Sequence, residues 1–173
     1  MFKKNIVLIG MMGAGKTTIG YLLAKKLNYR FIDIDHKIEK SEKEKIIDIF
    51  HNKGEGYFRE IEEKITAFYL EKTNVVISIG GGAFLNEKIR RTIKKNSYSF
   101  WLNWKIDTIL KRLKKNTRRP LVTNLSQKDL INLYKKRVKF YKLSDFKVRC
   151  ENKTKNEIIN QISKTIENEN SSN

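Results

Sequence analysis

The octapeptide Gly10-Met11-Met12-Gly13-Ala14-Gly15-Lys16-Thr17 constrains this chain more than any other feature. It matches G-x-x-x-x-G-K-S/T in full. It also follows the apolar run Asn5–Ile9 and precedes a segment with Ile19, Leu22, Leu23 and Leu27 on one helical face. Glycines let the backbone curl until its N–H groups point inward, and the start of the helix adds the positive end of its dipole. Such a loop cradles phosphates. Lys16 is expected to reach the β and γ phosphates of ATP, and the Thr17 hydroxyl to ligate Mg2+. Gly13, Ala14, Gly15, Lys16, Thr17 and Thr18 are therefore assigned to ATP.

A strand feeding a helix through a phosphate loop implies an α/β domain, and the rest of the chain agrees. Further strands are expected at Arg30–Ile34, Asn74–Ile79, Tyr98–Asn103 and Phe146–Cys150. Several are apolar on both sides, as strands covered by helices on both faces should be. Helices are expected in the gaps, near Tyr57–Lys72 and Ile106–Lys115, and over Gln127–Leu143 with Leu130, Leu133, Tyr134 and Val138 at helical spacing. The last helix carries Ile158, Ile159, Ile162 and Ile166. The pattern predicts one three-layer α/β/α domain over residues 1–167, with a five-stranded parallel sheet flanked by helices and a frayed polar tail over 168–173. The lone proline, Pro120, lies in the polar stretch Lys114–Ser126, where a lid is expected.

Composition narrows the setting. Hydrophobic residues are 39% and charged residues 32% of 173, as in a globular chain, and runs such as Val75–Ile77 are too short to span a bilayer. The basic, apolar start resembles a secretory signal, but it runs straight into the glycine loop and is read as the first strand. One cysteine, Cys150, excludes an internal disulfide framework and a cysteine zinc site. A cytoplasmic monomer is expected, without a membrane partner. Lys+Arg minus Asp+Glu is 37 − 19 = +18, a balance that attracts polyanions. The excess is mostly lysine scattered along the chain, so a solvated surface is expected rather than a specific nucleic-acid site.

Three further clusters bear on what receives the phosphoryl group. Phe31-Ile32-Asp33-Ile34-Asp35 ends the second strand with two carboxylates on the same side near its C-terminal end, the end where ligands of open α/β folds bind. One could support Mg2+ through water and the other hold an acceptor hydroxyl, or Asp35 could cap the helix that follows. Arg59 and Glu62 share a helix face, either as a surface ion pair or as an arginine held by its acid for bidentate capture of a ligand carboxylate. Gly80-Gly81-Gly82 after the third strand either form a flexible turn or let a ligand approach the backbone closely.

The order GMMGAGKTT, FIDID, DIF…GE…FR…E, ISIGGG and NTRRPL resembles shikimate kinase, of the nucleoside-monophosphate-kinase-like branch of P-loop kinases, from about Asn5 to about Ile166. The resemblance implies ATP-dependent phosphorylation of the 3-hydroxyl of shikimate, in aromatic amino-acid biosynthesis. It implies that Asp35 holds the shikimate hydroxyls and that Asp33 stands near Mg2+. Arg59 and Arg137 would hold the shikimate carboxylate, and Gly80, Gly81 and Gly82 would line its pocket. Arg112 would pack on adenine. Arg119, with Arg118 beside it as the alternative, would close over the γ-phosphate. Phe50 and Phe58 would be apolar walls, and Ser78 would stand where many P-loop proteins carry an aspartate.

Overall fold

The computed structural model describes residues 4–115 and 125–171. Five strands form one sheet in the order β2-β3-β1-β4-β5, and every pairing is parallel. They are β1 (Asn5–Ile9), β2 (Arg30–Asp33), β3 (Val75–Ser78), β4 (Ser97–Asn103) and β5 (Phe146–Arg149). Between and after them run α1 (Lys16–Leu27), α2 (Ile34–Glu42), α3 (Ile46–Leu70), α4 (Glu87–Asn96), α5 (Ile106–Lys115), α6 (Gln127–Tyr141) and α7 (Lys155–Ser171), with a 3-10 turn at Ala83–Leu85. β1 is central, so the phosphate loop leaves the middle of the sheet with β3 and β4 on its two sides.

The two-residue period of the strands divides the core into two layers. Ile6 and Leu8 of β1 join Phe100 and Leu102 of β4 in one cluster, with Ile19 and Leu23 of α1 and Ile158 and Ile162 of α7. Val7 and Ile9 face the opposite way, onto Ile38 of α2, Ile49 and Phe58 of α3 and Ile89 of α4. The three-layer arrangement expected from the apolar strands is therefore present.

Several boundaries differ from the sequence reading, each for a local reason. The strand drawn to Ile34 stops at Asp33, because the Asp33 carboxylate accepts the His36 N–H at 3.3 Å and starts α2 there. The helix drawn from Tyr57 begins at Ile46 and is interrupted at Gly54, whose φ of 81° and ψ of 171° no helix contains. α4 was not drawn separately: Ile89 and Ile93 are its only buried residues, and Asn86 caps it by accepting from Lys88 N–H at 2.8 Å. α6 ends at Tyr141, two residues short of Leu143, after a capping box between Ser126 and Asp129. The tail expected to fray from residue 168 is helical as far as Ser171, whose hydroxyl donates to the Glu167 carbonyl at 2.9 Å. Most of the expected lid at 114–126, with Arg118, Arg119 and Pro120, lies outside the described residues. No described helix is long and apolar enough to cross a membrane.

Candidate active site

The C-terminal ends of β1, β2 and β3 open into a cleft of about 1220 Å3. Every described site residue named from the sequence lines it, from Gly13 of the phosphate loop to Arg137 of α6. Phe50, Phe58 and Ser78 line it too. Arg119 lies outside the described residues.

On the nucleotide side, Gly13 and Gly15 take φ of 79° and 86°, a left-handed conformation that costs any other residue strain. Gly15 serves as the N-cap of α1, so the first turn of that helix faces the cleft with N–H groups that have no partner in the helix. The Lys16 ammonium is folded back against the loop, donating to the carbonyls of Gly10 at 2.9 Å and Met11 at 3.2 Å. The Thr17 hydroxyl donates to Asp33 Oδ2 at 2.7 Å. Asp33 thus both caps α2 and meets the phosphate loop. Asp35 sits inside the first turn of α2, so the cap reading of the D-x-D pair belongs to Asp33.

The acceptor side explains the three glycines. None of Gly80, Gly81 and Gly82 has a positive φ, so backbone freedom is not what they supply. A Cβ on Gly80 would strike Glu62 Oε1 and come 3.0 Å from Asp35 Oδ1. One on Gly81 would come 3.0 Å from Arg137 Nη1, and one on Gly82 2.7 Å from Arg59 Nη2. Each glycine is small because a charged side chain from α2, α3 or α6 lies against it. Tyr141, which the sequence reading did not nominate, holds this backbone by donating its hydroxyl to the Gly81 carbonyl at 2.5 Å. Burial pushes that phenol up to about 12, so it stays a donor.

Arg59 is fixed from two directions. Its Nη1 donates to Glu62 Oε2 at 2.6 Å, and its Nη2 and Nε donate to Glu55 Oε1 at 3.0 and 3.2 Å. The bland reading, a surface ion pair, fails on burial, since the Glu62 side chain is 2% exposed. Burial pushes the Glu62 carboxyl above its ordinary range, against the pull of Arg59. Burial also works against the Arg59 charge, but Glu62 and Glu55 outweigh it and hold the guanidinium above its ordinary value. Arg137 is 9% exposed, with Nη1 3.8 Å from the Met11 sulfur. Its Nε and Glu62 Oε1 are buried without a hydrogen-bond partner among the described residues. Both residues line the cleft, where a polar ligand could satisfy these atoms.

At the other end of the cleft-lining set, Arg112 lies over the Trp104 ring with Cζ 3.6 Å from its centroid. Lys153 and Lys155, where β5 passes into α7, line the cleft as well. Trp104 was missed, although it stands directly past the C-terminal end of β4, where ligands of such sheets bind.

The cleft therefore brings together the glycine loop with Lys16, oxygen atoms of Thr17 and Asp33, a carboxylate at Asp35 and the guanidinium groups of Arg59 and Arg137. Comparison with known proteins gives a consistent result. The family model for shikimate kinase matches residues 12–167. The shikimate kinase of Persephonella marina is 42% identical over 159 residues, covering 92% of this chain and 96% of that one. A shikimate kinase structure from Acinetobacter baumannii, solved in complex with shikimate, superposes with a TM-score of 0.89 at 29% identity, covering 96% of this chain and 94% of that chain. That of Aquifex aeolicus gives 0.83 at 37% identity, over 94% and 96%. With the family model matching residues 12–167 and a 42% identical shikimate kinase covered over 96% of its length, this protein belongs to the shikimate kinase family.

Proposed function

We propose that this chain transfers the γ-phosphoryl group of ATP to the 3-hydroxyl of shikimate, releasing ADP and shikimate 3-phosphate. One observation carries the reading: the phosphate loop, the pair Arg59 and Arg137, and Asp35 against Gly80 all line the same cleft. An acceptor that bears both a carboxylate and neighbouring hydroxyls fits that arrangement.

The chemistry follows from the positions. Phosphoryl transfer asks a protein for alignment and for positive charge around the moving group, with little covalent work. The loop N–H groups and Lys16 receive the phosphates. Arg59 and Arg137 take the acceptor carboxylate, Arg59 as a planar fork already oriented by Glu62 and Glu55. Asp35 orients the acceptor hydroxyl and is placed to take its proton. Arg112 packs on adenine, and Arg119 keeps the role the resemblance gives it, at the transferring phosphoryl.

Mg2+ suits the donor set. Thr17 and Asp33 offer hydroxyl and carboxylate oxygens 2.7 Å apart beside the loop. Among the described residues no group of three or more His, Cys, Asp or Glu forms a cage of its own. Two protein oxygens, with phosphates and water completing the shell, is how Mg2+ accompanies nucleotides. When bound, the ion supplies charge neutralisation at the phosphates. Its removal by a chelator is expected to abolish turnover. We assign the enzyme to the cytoplasm as a monomer, with ATP and shikimate as partners and no specific nucleic-acid partner.

A coupled ADP-release assay with shikimate, gluconate or no acceptor tests the proposal. ADP release that depends on shikimate is expected. Equal rates with gluconate, or without acceptor, would overturn it.

A further inference from the structure

Trp104 touches more of the nucleotide side than the phosphate loop requires. Its indole Nε1 donates to the Ala14 carbonyl at 3.0 Å, a buried bond between residues 90 apart in sequence. Its face carries the Arg112 guanidinium at 3.6 Å. Its own carbonyl accepts the Tyr134 hydroxyl of α6 at 2.9 Å. The side chain is 7% exposed and still lines the cleft, as Arg112 does.

These contacts have a common physical consequence. An arginine side chain is long, and ordering it on a ligand costs rotamer entropy. Here the ordering is done before any ligand arrives, since cation–π attraction holds the guanidinium against the indole. A guanidinium with one face on an indole keeps its other face for a second planar ring. The indole N–H meanwhile ties that assembly to the turn of the phosphate loop.

We propose that Trp104 is a positioning residue for the nucleotide: it presents Arg112 for stacking on a planar base, and through the Ala14 carbonyl it sets that arginine in register with the phosphate loop. The ligand class is a purine nucleoside di- or triphosphate. The inference rests on the reading of this cleft as the ATP site and adds a residue to it.

The test measures ADP affinity by titration calorimetry, which needs no acceptor. Trp104→Phe keeps a ring and loses the N–H; Trp104→Leu loses both. Trp104→Leu is expected to weaken ADP about threefold to tenfold, the scale of a partly desolvated cation–π contact. Trp104→Phe should fall between it and the unmutated protein. In an Arg112→Ala background the added effect of Trp104→Leu should shrink to less than twofold, and shikimate KM should stay unchanged in the single variants. The same loss with and without Arg112, or equal losses for ADP and shikimate, would make Trp104 a packing residue and overturn the proposal. Tryptophan emission supplies a readout independent of core substitutions: ADP should change it in the unmutated protein and not in Arg112→Ala. No change in the unmutated protein would overturn the inference even if both Trp104 variants fail to fold. A protein that binds no ADP at all would instead sink the reading of the cleft, and the inference with it.

Discussion

Gly82→Ala is the sharpest test of the acceptor pocket, because the structure separates its effect on the backbone from its effect on a neighbour. Gly82 has φ of −100° and ψ of −16°, values that alanine adopts without strain. An added Cβ, however, would lie 2.7, 2.8 and 2.9 Å from Nη2, Nη1 and Cζ of Arg59. Carbon and nitrogen do not pack at such distances. The neighbour is the end of a long side chain, so Arg59 yields and the backbone does not. The backbone should therefore keep its conformation, and the loss in thermal midpoint should not exceed that of Arg59→Ala, which breaks the same pair with Glu62. Displacement of the guanidinium should weaken the charge-assisted bonds we propose between it and the shikimate carboxylate, a contact worth about 1.5–3 kcal/mol. That corresponds to roughly a tenfold to hundredfold rise in shikimate KM. ATP KM should hold, since the phosphate loop lies elsewhere. Gly15→Ala is the converse case: no atom lies within 4 Å of its Cβ, but φ is 86°, so its cost of about 1–2 kcal/mol should appear in stability. Steady-state kinetics with both substrates varied, beside a thermal melt, reads all of this. Unchanged shikimate KM in a folded Gly82→Ala protein would refute the claim that Gly82 is small to admit Arg59.

Arg59→Lys should raise shikimate KM about tenfold to a hundredfold, because an ammonium lacks the planar fork, while ATP KM stays put. If ATP weakens instead, Arg59 belongs to the other side of the cleft. Lys16→Ala should leave the protein folded and lower kcat by at least about a hundredfold, on the scale of losing one preorganised charge at the transferring group; near-normal turnover in the folded variant would remove the phosphate-loop assignment. Glu62 gives a pH prediction. Its carboxyl stands above the ordinary range through burial, so it favours the folded state below its unfolded pKa, and that contribution is lost as pH rises through the folded value. Relative to Glu62→Gln, the unmutated protein should therefore lose thermal stability as pH climbs out of the ordinary carboxylate range. A difference that does not vary with pH would contradict it.

Much of the molecule could be read from short stretches of chain, for physical reasons that are themselves short-ranged. The phosphate loop is eight consecutive residues whose φ values, helix start and lysine act on one another locally, and the apolar strands report burial on both faces without reference to their partners. Where two local preferences competed, sequence could not choose between them. Both Asp33 and Asp35 can cap a helix, and only the end of β2, set by its pairing with β3, gave the cap to Asp33. α2 and α4 each bury two isoleucines, too weak a stripe to stand out until another layer covers them. The site depended most on tertiary structure. Gly80, Gly81 and Gly82 read either as a flexible turn or as room for a ligand, and what holds them small is the approach of Glu62, Arg137 and Arg59, which packing brings against them. Trp104 meets Ala14 across 90 residues, and Arg137 meets Met11 across 126. Residue types and their order determined which chemistry the chain carries, because loop and motif are local. Which side chains touch was decided by packing, because close approach across the chain is a property of the assembled layers and of no single segment.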